Sequence, residues 1–289
     1  MRIEKYTFVV LFIVSLFFGC SNETADVEET SNDTLDTSKV YEELNISYGS
    51  HERQKFDLYL PANRTSVTKT IILIHGGGWT SGDKGDMDAI KLLINQELPD
   101  VAIVNMNYRL ADANNPPYPM QIDDISSLVA FLKVNKDRYS ISEDIGFVGT
   151  SAGAHLSLLW SYAFDNDAKV DMVCSIVGPT NFTDPAYLNN TNPVLQDLLN
   201  VFGIDTTTDF LEEVSPLFQV KASSPPTILF YGGQDPLIPT TQGTDLRDKL
   251  EALGVSFEFT LYENAGHGWT GLELLDTWSK LKLFIETYL

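Results

Sequence analysis

The chain has 289 residues, of which 43% are hydrophobic and 11% aromatic, enough for one large α/β domain with a sizeable core or for two small ones. Its formal net charge of -21, from 19 basic and 40 acidic side chains, leaves no cationic surplus to neutralise phosphates and argues against nucleic acid as a partner. The two cysteines, Cys20 and Cys174, imply no disulfide framework.

The first twenty residues read "MRIEKYTFVVLFIVSLFFGC". Arg2 and Lys5 precede an apolar run, Tyr6–Phe18, that is too short to span a bilayer, which needs about 20 residues. A positive start followed by a short apolar core is the pattern of a secretory signal. Gly19 directly before Cys20 resembles a bacterial lipoprotein signal, with cleavage after residue 19 and lipid on the Cys20 thiol. Phe17 and Phe18 are bulkier than that pattern usually allows, so an ordinary signal peptide or an uncleaved anchor stays open. Residues 20–40 hold many acidic side chains and few apolar ones, and are expected to form a disordered tether. The implied location is the bacterial cell envelope, lipid-anchored at the outer membrane or surface; without the lipid the protein would be secreted or periplasmic.

From Tyr41 the pattern changes. "YEELNISYG" and "QKFDLYLP" alternate apolar and polar residues as half-buried strands do, with "SHER" as the hairpin turn between them. Nearly continuous apolar runs follow: "TIILIH", "VAIVNMNY", "IGFVG", "MVCSIVG", "TILFYGG" and "SFEFTLYE". Runs apolar on both faces suit a parallel sheet covered by helices on each side. Segments of helical period alternate with them: "DMDAIKLLINQEL", "YPMQIDDISSLVAFLKVN", "TTQGTDLRDKLEAL" and "LLDTWSKLKLFIETYL". The order predicts one doubly wound α/β domain, residues 41–289, built on a mostly parallel sheet of about eight strands. Residues 181–226 interrupt the alternation. They are long for a connection and contain a helical piece near Val194–Val201, so they form either a small cap over the site or an elaborated surface crossover. Cys174, inside "MVCSIVG", reads as a buried apolar residue.

The stretch "IGFVGTSAGAHLSLLW" carries the chemistry. Gly149-Thr150-Ser151-Ala152-Gly153 is a G-x-S-x-G turn between a buried strand and an apolar helix, the context in which a serine nucleophile sits at a strained corner. A serine hydroxyl needs a base to take its proton. Of the four histidines, His51 lies in the first hairpin, His75 at a strand end before the glycines, and His155 one turn into the helix after Ser151. His267, in "YENAGHGWTG", lies on a loop directly after the last predicted strand, where open α/β sheets place their sites, and is the candidate base. Asp235, in "GGQDPLIP" just past the preceding strand, is the candidate orienting acid. Glu263 competes for that role but falls at the end of the last strand itself, and Asp245 and Asp248 fall on a predicted helix.

With "HGGGW", "SGDK", "NYRL", "GTSAGAHL", "GGQDPLIP" and "AGHGW" in that order, the chain from Tyr41 to Leu289 resembles the α/β-hydrolase superfamily. Within it the motifs resemble the carboxylesterase branch that includes hormone-sensitive-lipase-like enzymes, and "HGGGWTSGDK" leans toward its acetyl-xylan and feruloyl esterase members. The resemblance implies that the backbone N–H groups of Gly77, Gly78 and Ala152 form an oxyanion hole. It also implies an acyl-enzyme mechanism that uses no metal or cofactor, acting on a small-molecule or carbohydrate ester. An amidase of aryl-formamidase type or a peptidase on the same fold is the alternative, and a binding protein without catalysis is a third reading. Trp79 either walls the substrate pocket or belongs to the core. Asp83 and Lys84 read as a structural turn, Asn107-Tyr108-Arg109 as a brace for the site loops, and Tyr118 as part of a rim.

Overall fold

The computed structural model describes residues 34–189, 191, 193, 195, 196, 200 and 207–289. The expected signal peptide 1–19, Cys20, the tether as far as residue 33 and most of the helical stretch expected at Val194–Val201 lie outside the described residues.

Eight strands form one sheet. They are β1 (Tyr41–Ser47), β2 (Lys55–Leu60), β3 (Thr70–Ile74), β4 (Ala102–Met106), β5 (Ile145–Thr150), β6 (Val170–Ile176), β7 (Thr227–Gly232) and β8 (Phe257–Tyr262), in the spatial order 1-2-4-3-5-6-7-8. β1 and β2 form the antiparallel hairpin and β2 runs antiparallel to β4; every other pairing is parallel. The connecting helices are α1 (Asp88–Glu97), α2 (Pro117–Tyr139), α3 (Ala152–Ala163), α4 (Pro185–Leu188), α5 (Thr208–Glu213), α6 (Pro216–Gln219), α7 (Thr240–Leu253) and α8 (Leu272–Tyr288). This is the α/β-hydrolase fold.

The strand sequences explain the layering. Successive side chains of a strand point to opposite faces, and the two faces bury different sets. Ile72 and Ile74 of β3 join Val104, Phe147 and Leu229 under α2, α3 and α7. Ile71 and Leu73 join Ile103, Val148, Cys174 and Phe230 under α1 and α8. Cys174 is fully buried there, and burial pushes its thiol pKa up, so it packs as an apolar residue.

The compact domain runs from Thr34 to Leu289. The end of the segment expected as a tether is held onto it. The Leu35 amide donates to the Arg138 carbonyl (3.1 Å), and the Arg64 guanidinium donates to the carbonyls of Asp36 (3.1 Å) and Lys39 (2.8 Å). The expected boundary at Tyr41 thus moves toward the N-terminus, because Arg64 supplies the hydrogen bonds that the acidic composition of this stretch gives no reason to expect.

The described part of 181–226 packs beside α3. Phe182, Tyr187, Leu211 and Val214 are buried in the same cluster as Trp79 and Leu156. Gln242 of α7 ties the insertion down: its Oε1 accepts from the amides of Thr180 and Asn181 (both 2.8 Å), and its Nε2 donates to Asp184 (2.8 Å).

Candidate active site

The parallel strands deliver their C-terminal ends to one edge, and four loops converge there, after β3, β5, β7 and β8. Ser151 follows β5 and stands immediately before α3 with φ 51° and ψ -119°, a conformation that non-glycine residues rarely adopt. The turn closes this tightly because Gly153 has no side chain: a Cβ there would lie 2.2 Å from the Ile74 carbonyl oxygen and 2.3 Å from that of His75.

The structure brings Ser151, His267 and Asp235 together. Ser151 Oγ lies 2.9 Å from His267 Nε2, and His267 Nδ1 lies 2.7 Å from Asp235 Oδ2. A carboxylate can only accept, so the imidazole proton sits on Nδ1 and Nε2 accepts from the serine hydroxyl. The Asp235 side chain is 1% exposed. Its other oxygen accepts from the amides of Leu237 (2.8 Å) and Ile238 (3.0 Å), which fixes the carboxylate plane. Glu263, the competing acid, is exposed, and His267 Nδ1 pairs with Asp235 instead; the Glu263 carbonyl receives Gln234 Nε2 at 3.4 Å.

The glycine loop after β3 is set by its carbonyls. The Gly76 oxygen accepts from His75 Nδ1 (2.6 Å) and the Tyr108 hydroxyl (3.2 Å). The Gly77 oxygen accepts from the amides of Thr80 (3.2 Å) and Ser81 (3.0 Å) and from Ser81 Oγ (2.8 Å). A trans peptide is planar, with its N–H opposite its C=O. Pinning these two carbonyls therefore turns the N–H groups of Gly77 and Gly78 the other way. Gly77 takes φ +111°, and a Cβ there would sit 2.2 Å from the Ser81 oxygen. Ala152 is the first residue of α3, so its N–H has no partner within the helix. Gly77, Gly78 and Ser151 line one cavity of about 670 Å³, and Ala152 adjoins Ser151.

The cavity walls are mostly apolar: Ile90 in α1, Ile176 at the end of β6 and Val177 just after it, Leu237 and Ile238 after Asp235, and Trp269 and Leu274 before and in α8. Trp269 is held by its Nε1–H on Thr277 Oγ1 (2.8 Å) and by its ring against Tyr262. Among the described residues, none from 181–226 lines this cavity. Trp79 borders it, but the side chain is only 2% exposed. Its Nε1–H donates to His155 Nδ1 (3.2 Å), and its ring packs on Phe182 at 6.0 Å, which places the indole in the core.

The remaining sequence candidates are structural. His75 is buried, stacks on Tyr108 at 4.2 Å, and has its pKa lowered by that burial. His155 is fully buried, and burial lowers its pKa to about 4. Asp83 caps the short turn Lys84–Met87, and Lys84 pairs with Asp57 at 3.1 Å. Asn107 bonds Asp83 and the Lys84 amide, both at 2.7 Å, while Arg109 grips the buried Asp124. The Tyr118 hydroxyl reaches Glu213 at 2.6 Å. Sequence reasoning passed over Arg53, which donates to the Tyr108 carbonyl (3.0 Å) and the Gly82 carbonyl (2.9 Å) and so ties the first hairpin to the glycine loop. It also passed over the wall residues Ile90, Leu274 and Trp269. Only Trp269 had a signal, its place two residues after His267.

Comparison with known proteins shows the family and the fold. The family model BD-FAE matches residues 56–250. The chain is 24% identical over 247 residues to Esterase LipC of Mycobacterium tuberculosis, covering 80% of this chain and 60% of that protein. It is 26% identical over 245 residues to the isoprenylcysteine alpha-carbonyl methylesterase ICME of Arabidopsis thaliana, covering 77% and 55%. The chain thus spans little more than half the length of these two relatives. Among solved structures, a truncated carbohydrate esterase from gut microbiota superposes with a TM-score of 0.69 at 22% identity, over 86% of this chain and 98% of that one, a likeness of fold. The family model covers well over half of the residues and spans the glycine loop, the serine turn and the strand before Asp235: this chain is a member of the BD-FAE family, on the α/β-hydrolase fold.

Proposed function

We propose that the protein is a serine carboxylesterase acting on short-chain or aryl acyl esters, among them acetyl or feruloyl groups on polysaccharide. The observation that carries this reading is the Ser151–His267–Asp235 relay, at 2.9 and 2.7 Å, whose Ser151 and His267 line a mostly apolar cavity. Ser151 Oγ attacks the ester carbonyl carbon as its proton passes to His267 Nε2. Asp235 stays ionised and stabilises the imidazolium through Nδ1–H. The carbonyl oxygen becomes negative and receives the N–H groups of Gly77, Gly78 and Ala152, each such donor contributing about 10²–10³ in rate. Nε2–H then protonates the departing alcohol oxygen and leaves an acyl-enzyme, which water hydrolyses by the same route.

The carbohydrate part of the reading draws on the motif resemblance and on the carbohydrate esterase of like fold. Ser151→Ala should abolish hydrolysis of p-nitrophenyl acetate while the circular dichroism spectrum is kept; full activity in that variant would sink the assignment. Acetylated xylan, methyl ferulate and an aryl-formamide compared side by side would separate the substrate classes. From the N-terminal sequence alone we also propose a lipid on Cys20. Mass spectrometry of the envelope-bound protein tests it, and an unmodified Cys20 there would reject it.

A further inference from the structure

We infer that His155 is a positioning residue for the oxyanion loop, acting through the Trp79 indole; the inference rests on the esterase reading above. Three segments meet at this one imidazole. His155 lies one turn beyond Ser151 on α3, and its own N–H bonds the Ser151 carbonyl at 3.1 Å. Its Nδ1 accepts the Trp79 indole N–H at 3.2 Å, and Trp79 is joined directly to Gly78. Its Nε2 faces the Val214 carbonyl at 2.8 Å, just past the end of α5 in the insertion.

A carbonyl can only accept, so the proton is on Nε2 and Nδ1 is the lone-pair nitrogen. That is the one tautomer able to satisfy both partners. An imidazolium would set N–H against N–H at the indole. Full burial, which holds the pKa near 4, keeps the ring neutral at neutral pH.

The indole needs such a hold. Trp79 has φ +63°, a conformation a bulky residue does not take freely. Its carbonyl is gripped from one side by the Ala111 amide (2.9 Å) and Gln121 Nε2 (2.7 Å). Its ring is gripped from the other side by His155, edge-on at 5.4 Å, with Phe182 against both. Backbone and ring together fix the residue that follows the two glycine donors. The oxyanion loop is thereby referenced to the helix that carries the nucleophile. A loop that drifts by about an ångström loses on the order of 10²-fold in rate.

The test uses the full-length chain and four variants: His155→Leu, which removes both hydrogen bonds; His155→Gln, which keeps one acceptor and one donor; Trp79→Phe; and the Trp79→Phe/His155→Leu pair. Active sites are titrated with a fluorophosphonate so that kcat is counted per competent nucleophile. His155→Leu should lower kcat on p-nitrophenyl acetate about 10- to 100-fold with KM changed by less than about threefold. The inhibition constant of phenylboronic acid, which forms a tetrahedral adduct on the serine, should rise in step with the loss in kcat. His155→Gln should restore most of the loss. Trp79→Phe should resemble His155→Leu, and the pair should be no worse than the poorer single variant. A His155→Leu enzyme with normal kcat per titrated site overturns the inference. So does a His155→Gln enzyme as impaired as His155→Leu, or a loss that appears only as fewer titratable sites. An active parent that Ser151→Ala silences secures the esterase reading separately, so failure of that reading and failure of this inference give different results.

Discussion

Asp235→Asn is the sharpest probe of the relay, because the substitution keeps the shape and changes only donors and acceptors. One carboxylate oxygen accepts two backbone N–H groups and the other accepts His267 Nδ1–H. An asparagine can keep its carbonyl oxygen on the two amides, and its NH₂ then faces His267. An NH₂ can only donate, so the imidazole must turn Nδ1 into an acceptor and carry its proton on Nε2. That tautomer cannot take the proton of Ser151. The productive flip puts the amide oxygen on His267 and leaves the Leu237 and Ile238 amides facing a donor. Leaving these two part-buried amides unsatisfied costs at most about 1–3 kcal/mol each, so the flip costs about 2–6 kcal/mol. At about 1.4 kcal/mol per tenfold, the productive fraction falls by about 30-fold to 10⁴-fold. The assay is kcat/KM for p-nitrophenyl acetate at neutral pH, with Glu263→Gln as a control expected to behave like the parent. An Asp235→Asn enzyme within about threefold of the parent would refute the reasoning, since the relay would then not depend on this carboxylate.

Further expectations follow from packing and charge. Gly153→Ala forces a methyl against two carbonyl oxygens at 2.2 and 2.3 Å and should destabilise the domain by about 1–3 kcal/mol or more, read by urea unfolding; an unchanged midpoint contradicts it. Arg109→Met removes the cation from Asp124, whose side chain is 0% exposed, and should cost about 3–5 kcal/mol in the same assay; a loss too small to resolve would show that Gln54 and the Arg109 amide suffice. The third concerns acid. Unfolded His155 takes a proton near pH 6.5, whereas the folded ring takes one only near pH 4. The unfolded state therefore binds more protons between those values, and stability falls as pH is lowered through that window. The contribution lost by pH 4 is about 3 kcal/mol, at 1.36 kcal/mol per pH unit. Unfolding of the parent and of His155→Gln across this range should differ in slope; parallel curves would show that His155 is not the group responsible.

The alternation of strands and helices was legible because both core faces of β3 through β7 are written as apolar residues, and burial on both sides leaves little else for such runs to be. The meeting of Ser151, Asp235 and His267 was legible because each lies just past a strand end, and a parallel sheet sends those ends to one edge. The course of 181–226 was not. Its place beside α3 depends on Gln242, some sixty residues away on α7, reaching back to Thr180, Asn181 and Asp184. No local pattern in the insertion marks that contact. Trp79 stayed ambiguous for a similar reason: whether an indole faces solvent or core depends on its partner, and His155 is remote in sequence. Part of the cavity wall comes from single residues at the starts of α1 and α8, where Ile90 and Leu274 look like any amphipathic helix residue.

The backbone of Ser151 has a consequence for how this protein tolerates change. Its φ of 51° with ψ -119° stores on the order of 1–3 kcal/mol that the surrounding strands and helix must hold in place. The residue most needed for chemistry is thus held in a conformation that its backbone does not favour. A glycine at this position would give up the hydroxyl and relieve the strain, so an inert Ser151→Gly protein should outlast the active one on heating. Selection for heat resistance alone would then run against catalysis at this corner, and a screen that keeps both must find its stabilising substitutions elsewhere in the domain.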